Sequence, residues 1–562
     1  MKTLLVGINA KYYHTNLAIR NIKKYCNSYN IEIFETTIND SVDFMLEAII
    51  EKKSDIVGFS CYIWNIEIIL NLAENIKKIN PNILIVLGGP EATYDAENFI
   101  KKGFIDFVVL GEGEITFERL LDALSKNINL DDVDGISYLS NNKIVMKPQK
   151  NYVNLDKIPV SYEDDEDLSN KLVYYETSRG CPFRCAYCLS SIDNTLRYAN
   201  LEKVEKDLKY FADKNIKILK FIDRSFNSNR KRAKEILNIM KNIKGNMVFH
   251  CEINPELVND EFVNELSGLE GRIQFEVGVQ TTNKMSLKAI SRTTAVDKTL
   301  NGIYLLKKAN FKVHVDLIAG LPYDNFYTFT KAFDDVYILK PDEIQLGFLK
   351  VLKGTPLAYR TDEFGIVYNN RPPYEVLFSK DLKFEELSIL KGIAYLIDKY
   401  YNSGKFKYTL NNLEKYFDKS YKFYLDFYKF WKLNNLYNKN HSLKNLYNII
   451  YEYGSKISEI NISLLKNALK LDFLYFNKAK DYPDCIKDTN KIDYKNIIKE
   501  YLRDENWLKE NLPIAISMPL KERMANVTSG YFEYDIINNK NESDTIYIFL
   551  HTDKENYFAK VK

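Results

Sequence analysis

Cys181-Pro-Phe-Arg-Cys185-Ala-Tyr-Cys188 places three thiols within eight residues. Thiolates are soft ligands, and three at this spacing suit an iron–sulfur cluster or zinc. A structural zinc ion needs a fourth protein ligand. The next candidates, His250 and Cys251, lie far along the chain with no paired ligand spacing. Three ligands leave one metal position open, which makes the site a place for a substrate or cofactor to bind. The other cysteines, Cys26, Cys61, Cys251 and Cys485, are dispersed, and small buried residues are what they are expected to be. Seven cysteines with a single tight cluster argue against a disulfide framework and for a reducing, cytoplasmic setting.

A chain of 562 residues is long enough for three to four domains. It is 46% hydrophobic and 27% charged, with a mean hydropathy of -0.32, which excludes wholesale disorder. With 22 glycines and 14 prolines, long punctuated linkers are not expected. Lys and Arg total 78 against 76 Asp and Glu. Such a balance supplies no global field for nucleic acid or an anionic membrane surface. No apolar run reaches the length of a membrane span, and the N-terminus lacks a signal-peptide pattern. The 41 tyrosines and 32 phenylalanines are spread through every region and read mostly as composition bias.

The loop of cysteines must be held by something rigid, and the pattern around it supplies two α/β domains. In residues 1–125, β-branched runs at 4–8, 31–37, 56–60, 83–87 and 107–110 alternate with helical spacing at 41–52 and 66–79. This predicts a doubly wound, flavodoxin-like domain with a parallel sheet. Residues 126–168 are short, polar and turn-rich, a connector containing a probable hairpin at 135–146. A second βα series fills 169–372, with strands near 172–176, 218–222, 248–252, 273–279, 312–318 and 343–349. Six strands predict a partial (β/α)6 barrel, and barrel chemistry belongs at the carboxyl ends of its strands. The cysteine loop leaves the first of them. Residues 373–562 read as a mostly helical C-terminal domain, with helical runs at 384–400 and 413–436 and a strand-like tail at 545–550.

In an open parallel sheet, ligands sit beyond the carboxyl edge at the switch point. The loops there supply Asn9 and His14, Ser60 and Tyr62, Gly88, Gly89 and Glu91, and Gly111. Paired glycines let the backbone approach a large flat ligand. Gly111-Glu-Gly113 is not a dinucleotide fingerprint, because Thr116 replaces the third glycine and two acidic side chains would repel a pyrophosphate. In residues 401–450, nine lysines and an aromatic series (Phe417, Tyr421, Tyr424, Tyr428, Trp431) are read as a helix with an aromatic core stripe rather than a nucleic-acid face.

The stretch from Glu176-Thr-Ser-Arg-Gly-Cys181 through Cys188 resembles the radical SAM superfamily. So do Phe221-Ile-Asp-Arg-Ser-Phe-Asn227, Glu276-Val-Gly-Val-Gln280 and Asp316-Leu-Ile-Ala-Gly-Leu-Pro322. The resemblance implies a [4Fe-4S] cluster on Cys181, Cys185 and Cys188 that chelates S-adenosylmethionine. It places Tyr187 near adenine, the Asp223 segment near the methionine amino group, and Glu276 and Gln280 near the ribose or carboxylate. Glu252 is a further candidate. With the flavodoxin-like domain ahead of it, the chain resembles the cobalamin-binding radical SAM group over about residues 1–370, and Leu110-Gly-Glu-Gly-Glu-Ile-Thr-Phe117 is similar to its fifth-loop pattern.

One departure matters. Relatives whose histidine ligates cobalt carry Asp-x-His-x-x-Gly, whereas here Tyr12 precedes His14 and Leu17 stands at the glycine. No protein nitrogen is therefore expected on the lower face of cobalt. The resemblance implies cleavage of S-adenosylmethionine to a 5′-deoxyadenosyl radical, with radical methyl transfer to an unactivated carbon as the leading expectation. Cobalamin-dependent cyclisation, rearrangement or oxidation is the alternative within enzymes, and a non-catalytic cobalamin-binding regulator the alternative outside them. A methylthiotransferase is disfavoured, since only Cys26 and Cys61 stand in the N-terminal domain. An external electron donor such as flavodoxin or ferredoxin is implied, and neither a membrane nor a nucleic acid is expected as partner.

Overall fold

The computed structural model describes residues 1–126, 128–193, 195–292, 294–478, 481–487, 495–537, 545–552 and 556–561. The chain divides into two compact units, residues 1–341 with 346–387 and residues 342–345 with 388–562.

The first unit opens with β1 (Lys2–Asn9), β2 (Asn30–Thr37), β3 (Ile56–Ser60), β4 (Leu84–Gly88) and β5 (Phe107–Val109). Their order in the sheet is β2-β1-β3-β4-β5, all parallel. This is the doubly wound order, with its switch point between β1 and β3. Apolar side chains on both faces build two cores. One gathers Leu4, Val6 and Ile8 with the helix Ile66–Ile79, the other Leu5, Val86 and Val109 with Phe117 and Leu120 of the helix Gly113–Lys126.

The expected connector is not free-standing. Its hairpin, β6 (Ile136–Ser140) and β7 (Lys143–Met146), joins the same sheet, with β6 antiparallel to β5. The physical reason is that β5 is only three residues long and would otherwise end the sheet on unpaired backbone groups.

The barrel follows with β8 (Val173–Tyr175), then a two-residue pair, β9 (Ser178–Arg179) and β10 (Arg197–Tyr198). It continues with β11 (Ile218–Phe221), β12 (Val248–Ile253), β13 (Ile273–Gln280), β14 (Lys312–Ala319) and β15 (Glu343–Phe348). The six-stranded sheet runs β15-β14-β13-β12-β11-β8. On β11 to β14 burial alternates residue by residue. Residues such as Phe249, Phe275 and Val313 pack against helices, while the alternate positions face the lumen. All six barrel strands and all five first-domain strands expected from the pattern are present, with ends that agree to within two residues.

In the second unit the expected helix at 413–436 is broken. A helix ends at Leu413, a short turn covers Glu414–Tyr416, and a new helix spans Ser420–Leu433. Phe417 and Lys419 are extended, and the segment between Asp418 and Ser420 is rich in the residue types that start helices rather than continue them. Of the aromatic series read from the sequence, Tyr424, Tyr428 and Trp431 are buried core while Phe417 and Tyr421 are half-buried; Phe423 and Phe427 complete the buried stripe. The buried Asp472 accepts hydrogen bonds from the backbone N–H groups of Tyr408 and Thr409 at 3.1 and 2.8 Å, satisfying the first turn of the helix Lys407–Leu413. An antiparallel sheet of Val527–Phe532, Thr545–His551 and Asn556–Lys560 matches the predicted strand-like tail. Among the described residues no helix is long and apolar enough to cross a membrane.

Candidate functional site

The loops at the carboxyl edge of the first sheet are built from side chains that bind their own backbone. Asn65 donates to the carbonyls of Ile8 and Ser60 at 3.0 and 2.9 Å, tying the loop after β3 to the end of β1. The Trp64 indole donates to Ile8 at 3.1 Å and its ring stacks on Tyr62 with centroids 4.3 Å apart. Asn16 caps the helix Leu17–Tyr25 and donates to Ser60 Oγ at 3.1 Å. Gly89 adopts φ +101°, and a Cβ there would meet the backbone oxygen of Cys61 at 2.7 Å, so only glycine fits this turn.

These loops line one wall of a cavity of about 590 Å³. Asn9, His14, Ser60, Tyr62, Gly88, Gly89 and Gly111 all reach it, and the opposite wall is Tyr174, Glu176, Arg179, Ile222 and Arg224 from the barrel side. Glu91 is the exception among the residues singled out from the sequence. It is 4% exposed, receives the Tyr374 hydroxyl and pairs with Lys353 at 3.2 Å. Its carboxylate is spent on holding the segment after the barrel.

His14 lies on the barrel side of this cavity. Its backbone bridges to Leu172, whose N–H donates to Tyr13 at 2.7 Å, and its ring meets the edge of Tyr174 at 6.0 Å. Burial, with Lys11 and Lys220 nearby, lowers its pKa and keeps the imidazole neutral at pH 7.

The cysteine loop is closed off by β9 and β10 and anchored by Asp223. That carboxylate is 3% exposed and accepts from the Thr177 N–H at 2.7 Å, the Ser178 N–H at 3.1 Å and the Thr177 hydroxyl. Asp223 thus shapes the entry to the loop, and both its oxygens are already engaged there. Burial raises the pKa of Cys181 and Cys185, and each is raised further by the neighbouring thiols, which places the three close together. Among the described residues, no three His, Cys, Asp or Glu side chains converge tightly enough to hold a single metal ion. Ligands of a multi-iron cluster bind separate irons, so three thiols of one loop need not converge on a single point to hold one. Tyr187, in the same loop, takes a 3.3 Å hydrogen bond from Arg292.

The barrel lumen holds a polar array. Glu276 accepts from Lys220 at 2.7 Å and from His250 Nε2 at 3.0 Å, while Gln274 donates to His250 Nδ1 at 2.9 Å, a set that the neutral Nε2–H tautomer satisfies. Burial opposes the charge on Glu276, but His250 and Lys220 drive its pKa down to about 2. His314 and Asp316 lie 3.3 Å apart on β14. Among the described residues the Gln280 side-chain oxygen is buried with no hydrogen-bond partner, at a residue with φ +69°. Lys220, Gln274 and His314 were not singled out from the sequence, and His250 was weighed there only as a zinc ligand. The signal was there: they stand two residues from Ile222, Glu252, Glu276 and Asp316 and therefore on the same face of their strands.

Burial raises Glu252 to about 7 against an ordinary value of 4.5, with Arg224 opposing. The folded chain then holds a proton that the unfolded chain releases, so this contribution to stability is present below about pH 4.5 and is lost as pH rises through about 7. Urea midpoints of the wild type should fall more steeply across that interval than those of Glu252→Gln. Parallel curves would show that Glu252 is ionised throughout.

An ion-pair network joins the two walls of the cavity. Arg179 contacts Glu114 at 2.9 Å, Glu112 at 3.3 Å and also Glu176, while Arg197 pairs with Glu112 and, at 3.0 Å, Asp193. Glu176 further accepts from Asn21 at 3.0 Å. The acidic Gly111–Glu114 loop therefore meets two arginines that flank the cysteines in sequence.

Comparison with known proteins agrees with this layout. The B12 binding domain profile matches residues 3–121 and the radical SAM superfamily profile residues 175–336. Residues 362–549 match a protein family of unknown function, DUF4080. An uncharacterized methyltransferase, PH0819, from Pyrococcus horikoshii is 28% identical over 307 residues, 52% of this chain and 66% of that protein. The cobalamin-dependent radical SAM methyltransferase TokK of Streptomyces tokunonensis is 26% identical over 352 residues, 58% of this chain. The chain spans 66% and 51% of the lengths of these two curated relatives. The structure of the cobalamin-dependent S-adenosylmethionine radical enzyme OxsB aligns at a TM-score of 0.60 and 16% identity, covering 84% of this chain and 83% of that one, a likeness of fold.

Proposed function

We propose that this chain, a member of the cobalamin-binding radical SAM family with a [4Fe-4S] cluster, S-adenosylmethionine and cobalamin as its cofactors, transfers a methyl group to an unactivated carbon of its substrate. The observation that carries this reading is the cavity walled on one side by the carboxyl edge of the first sheet and on the other by Tyr174 of β8 and the segments that follow β8 and β11, with Glu176, Arg179, Ile222 and Arg224. Methyl transfer needs the reacting groups within a few ångströms, and one shared cavity is what permits that.

The residues present fit the three groups. Gly88 lines the cavity, and a Cβ there would have its nearest neighbour, Val109, at 3.7 Å, so the missing side chain leaves open the space that a flat corrin needs. The orphaned Gln280 oxygen awaits a donor such as a ribose hydroxyl or an amino group. The three thiols are the donor set for the cluster. When bound, these groups supply one-electron cleavage of S-adenosylmethionine and a transferable methyl. In this reading Cys181, Cys185 and Cys188 hold the cluster, Tyr187 and Gln280 orient S-adenosylmethionine, and Asn9, Ser60, Tyr62, Gly88, Gly89 and Gly111 seat the corrin. Glu276, neutralised by Lys220, keeps the lumen wall in one arrangement. Glu91 and Asp223 position backbone.

Anaerobic protein reconstituted with cluster and cobalamin should form 5′-deoxyadenosine on reduction with S-adenosylmethionine, and its product should be heavier than substrate by one methylene. A product of unshifted mass would favour cyclisation or rearrangement; absence of deoxyadenosine would favour a regulator.

In this reading His14, whose backbone pairs with Leu172 and whose ring meets the edge of Tyr174, supplies no nitrogen to cobalt. The paramagnetic resonance spectrum of the cob(II)alamin form should therefore show no nitrogen splitting, and His14→Ala should leave it unchanged. Splitting that vanishes in His14→Ala would identify this residue as the cobalt ligand.

A further inference from the structure

The turn after β11 presents one charged side chain to the cavity from a fixed backbone. Asp223, Ser225, Phe226 and Asn227 are buried, whereas Arg224 among them is exposed and lines the cavity. Both sides of the turn are fastened. Asp223 accepts from the backbone N–H groups of Thr177 and Ser178. The Phe226 N–H donates to the Glu252 carbonyl at 2.8 Å, and Asn227 and Asn254 exchange two hydrogen bonds of 2.8 Å each. The charged side chains that line the cavity are Glu112, Glu114, Glu176, Arg179 and Arg224. The first four are engaged with one another across it. Among the described residues Arg224 makes no hydrogen bond and no ion pair. Glu252 feels its charge, but burial raises that carboxyl to about 7 and the two are not paired.

We infer that Arg224 selects the substrate by binding a carboxylate on it, so that the molecule methylated is an organic acid. The inference rests on the functional reading above, in which the first-sheet loops seat the corrin and leave this wall to the substrate. A solvated surface arginine needs no ligand, but this one is displayed by a fixed turn into a concave space, which lowers the ordering cost of binding. Burial raises the pKa of the Tyr62 hydroxyl and of the Cys181 thiol, and the Arg224 charge opposes it at both. The guanidinium therefore stands between the loop after β3 and the cysteine loop, where the functional reading puts the reacting carbon. A planar guanidinium meets a carboxylate with two parallel N–H donors. Phosphate is a poorer match. Arg179 and Arg197 face four carboxylates, Glu112, Glu114, Glu176 and Asp193, and this excess negative charge repels a dianion more than a monoanion. The S-adenosylmethionine end of the site has its own cation, Arg292, which donates to Tyr187 at 3.3 Å and to the Gly278 carbonyl. Arg224 is left for the substrate.

Full-length protein reconstituted with cluster and cobalamin is titrated with benzoate, benzamide and phenyl phosphate, with binding followed by ligand-observed nuclear magnetic resonance. Wild type should bind benzoate about tenfold tighter than benzamide, which has nearly the same shape without the charge. In Arg224→Gln that preference should disappear, and in Arg224→Lys, which keeps the charge without the fork, part of it should return. Iron content, cobalamin retention and affinity for S-adenosylmethionine should match wild type in both variants. Equal affinities for benzoate and benzamide in wild type, or a preference that survives in Arg224→Gln, would overturn the proposal. Weakened S-adenosylmethionine binding in Arg224→Gln would also overturn it, by assigning the guanidinium to that cofactor. Phenyl phosphate bound more tightly than benzoate would overturn the choice of a carboxylate. Failure of the methyl-transfer reading shows elsewhere, as a product of unshifted mass, and leaves the benzoate comparison to decide Arg224.

Discussion

Alanine at Cys181, Cys185 or Cys188 is expected to leave the purified, reconstituted protein with almost no iron and no deoxyadenosine formation. A cluster held by three thiolates has no spare protein ligand, and among the described residues no other cysteine stands in this loop. Cys26, Cys61 and Cys251 are buried elsewhere, and burial raises their thiol pKa values, which disfavours the thiolate that binds metal. The loop backbone should stay in place in these variants, since Cys188 and Cys185 are joined by a backbone hydrogen bond of 3.0 Å and Ala186 docks on Ile290, so the loss of iron would report the missing thiolate. Iron and sulfide analysis with the visible absorption of the cluster checks this. A variant retaining a full iron complement would show that the assignment of these three residues is wrong.

Arg179→Met should be the most damaging substitution outside the cysteines. Its guanidinium is largely buried and faces three carboxylates, of which Glu114 is almost wholly enclosed. Burial alone would push Glu114 up, but Arg179 holds its pKa below the ordinary value, so the pair is charged on both sides. Removing the cation strands several negative charges in one small space, which costs about 3–5 kcal/mol. The same contacts fasten the Gly111–Glu114 loop to the strand that leads into the cysteines, so cobalamin retention should fall together with thermal stability. Arg179→Lys should rescue only part, because one ammonium cannot serve Glu112, Glu114 and Glu176 as a planar fork does. Glu114→Gln in the Arg179→Met background should recover stability, as neutralising one stranded carboxylate relieves the repulsion. Melting curves and the cobalamin absorbance of the purified variants measure both effects. Strictly additive losses would show that Arg179 and Glu114 do not act together.

Much of this protein was legible in one dimension, for reasons that are local. Period-2 alternation on β11 to β14 and short β-branched runs in the first sheet depend on neighbours along the chain, so the strands and the two α/β domains could be read directly. The three cysteines carry their chemistry in their spacing. The carboxyl-edge loops followed from the rule that open parallel sheets bind ligands there, and Asn9, Ser60, Gly88 and Gly111 do line one cavity. Tertiary structure alone decided what depends on partners far apart in sequence. Glu112 and Glu114, which read as repellent charges, are matched by Arg179 and Arg197 from another domain. Glu91 is withdrawn from the cavity by Lys353 and Tyr374, more than two hundred residues away. Asp223 binds the cysteine loop's own backbone. The capture of the hairpin at β5 likewise depends on edge pairing. Hydrophobic period is imposed by the element a residue sits in, whereas the partner of a buried charge is imposed by whichever segment the fold brings across from it.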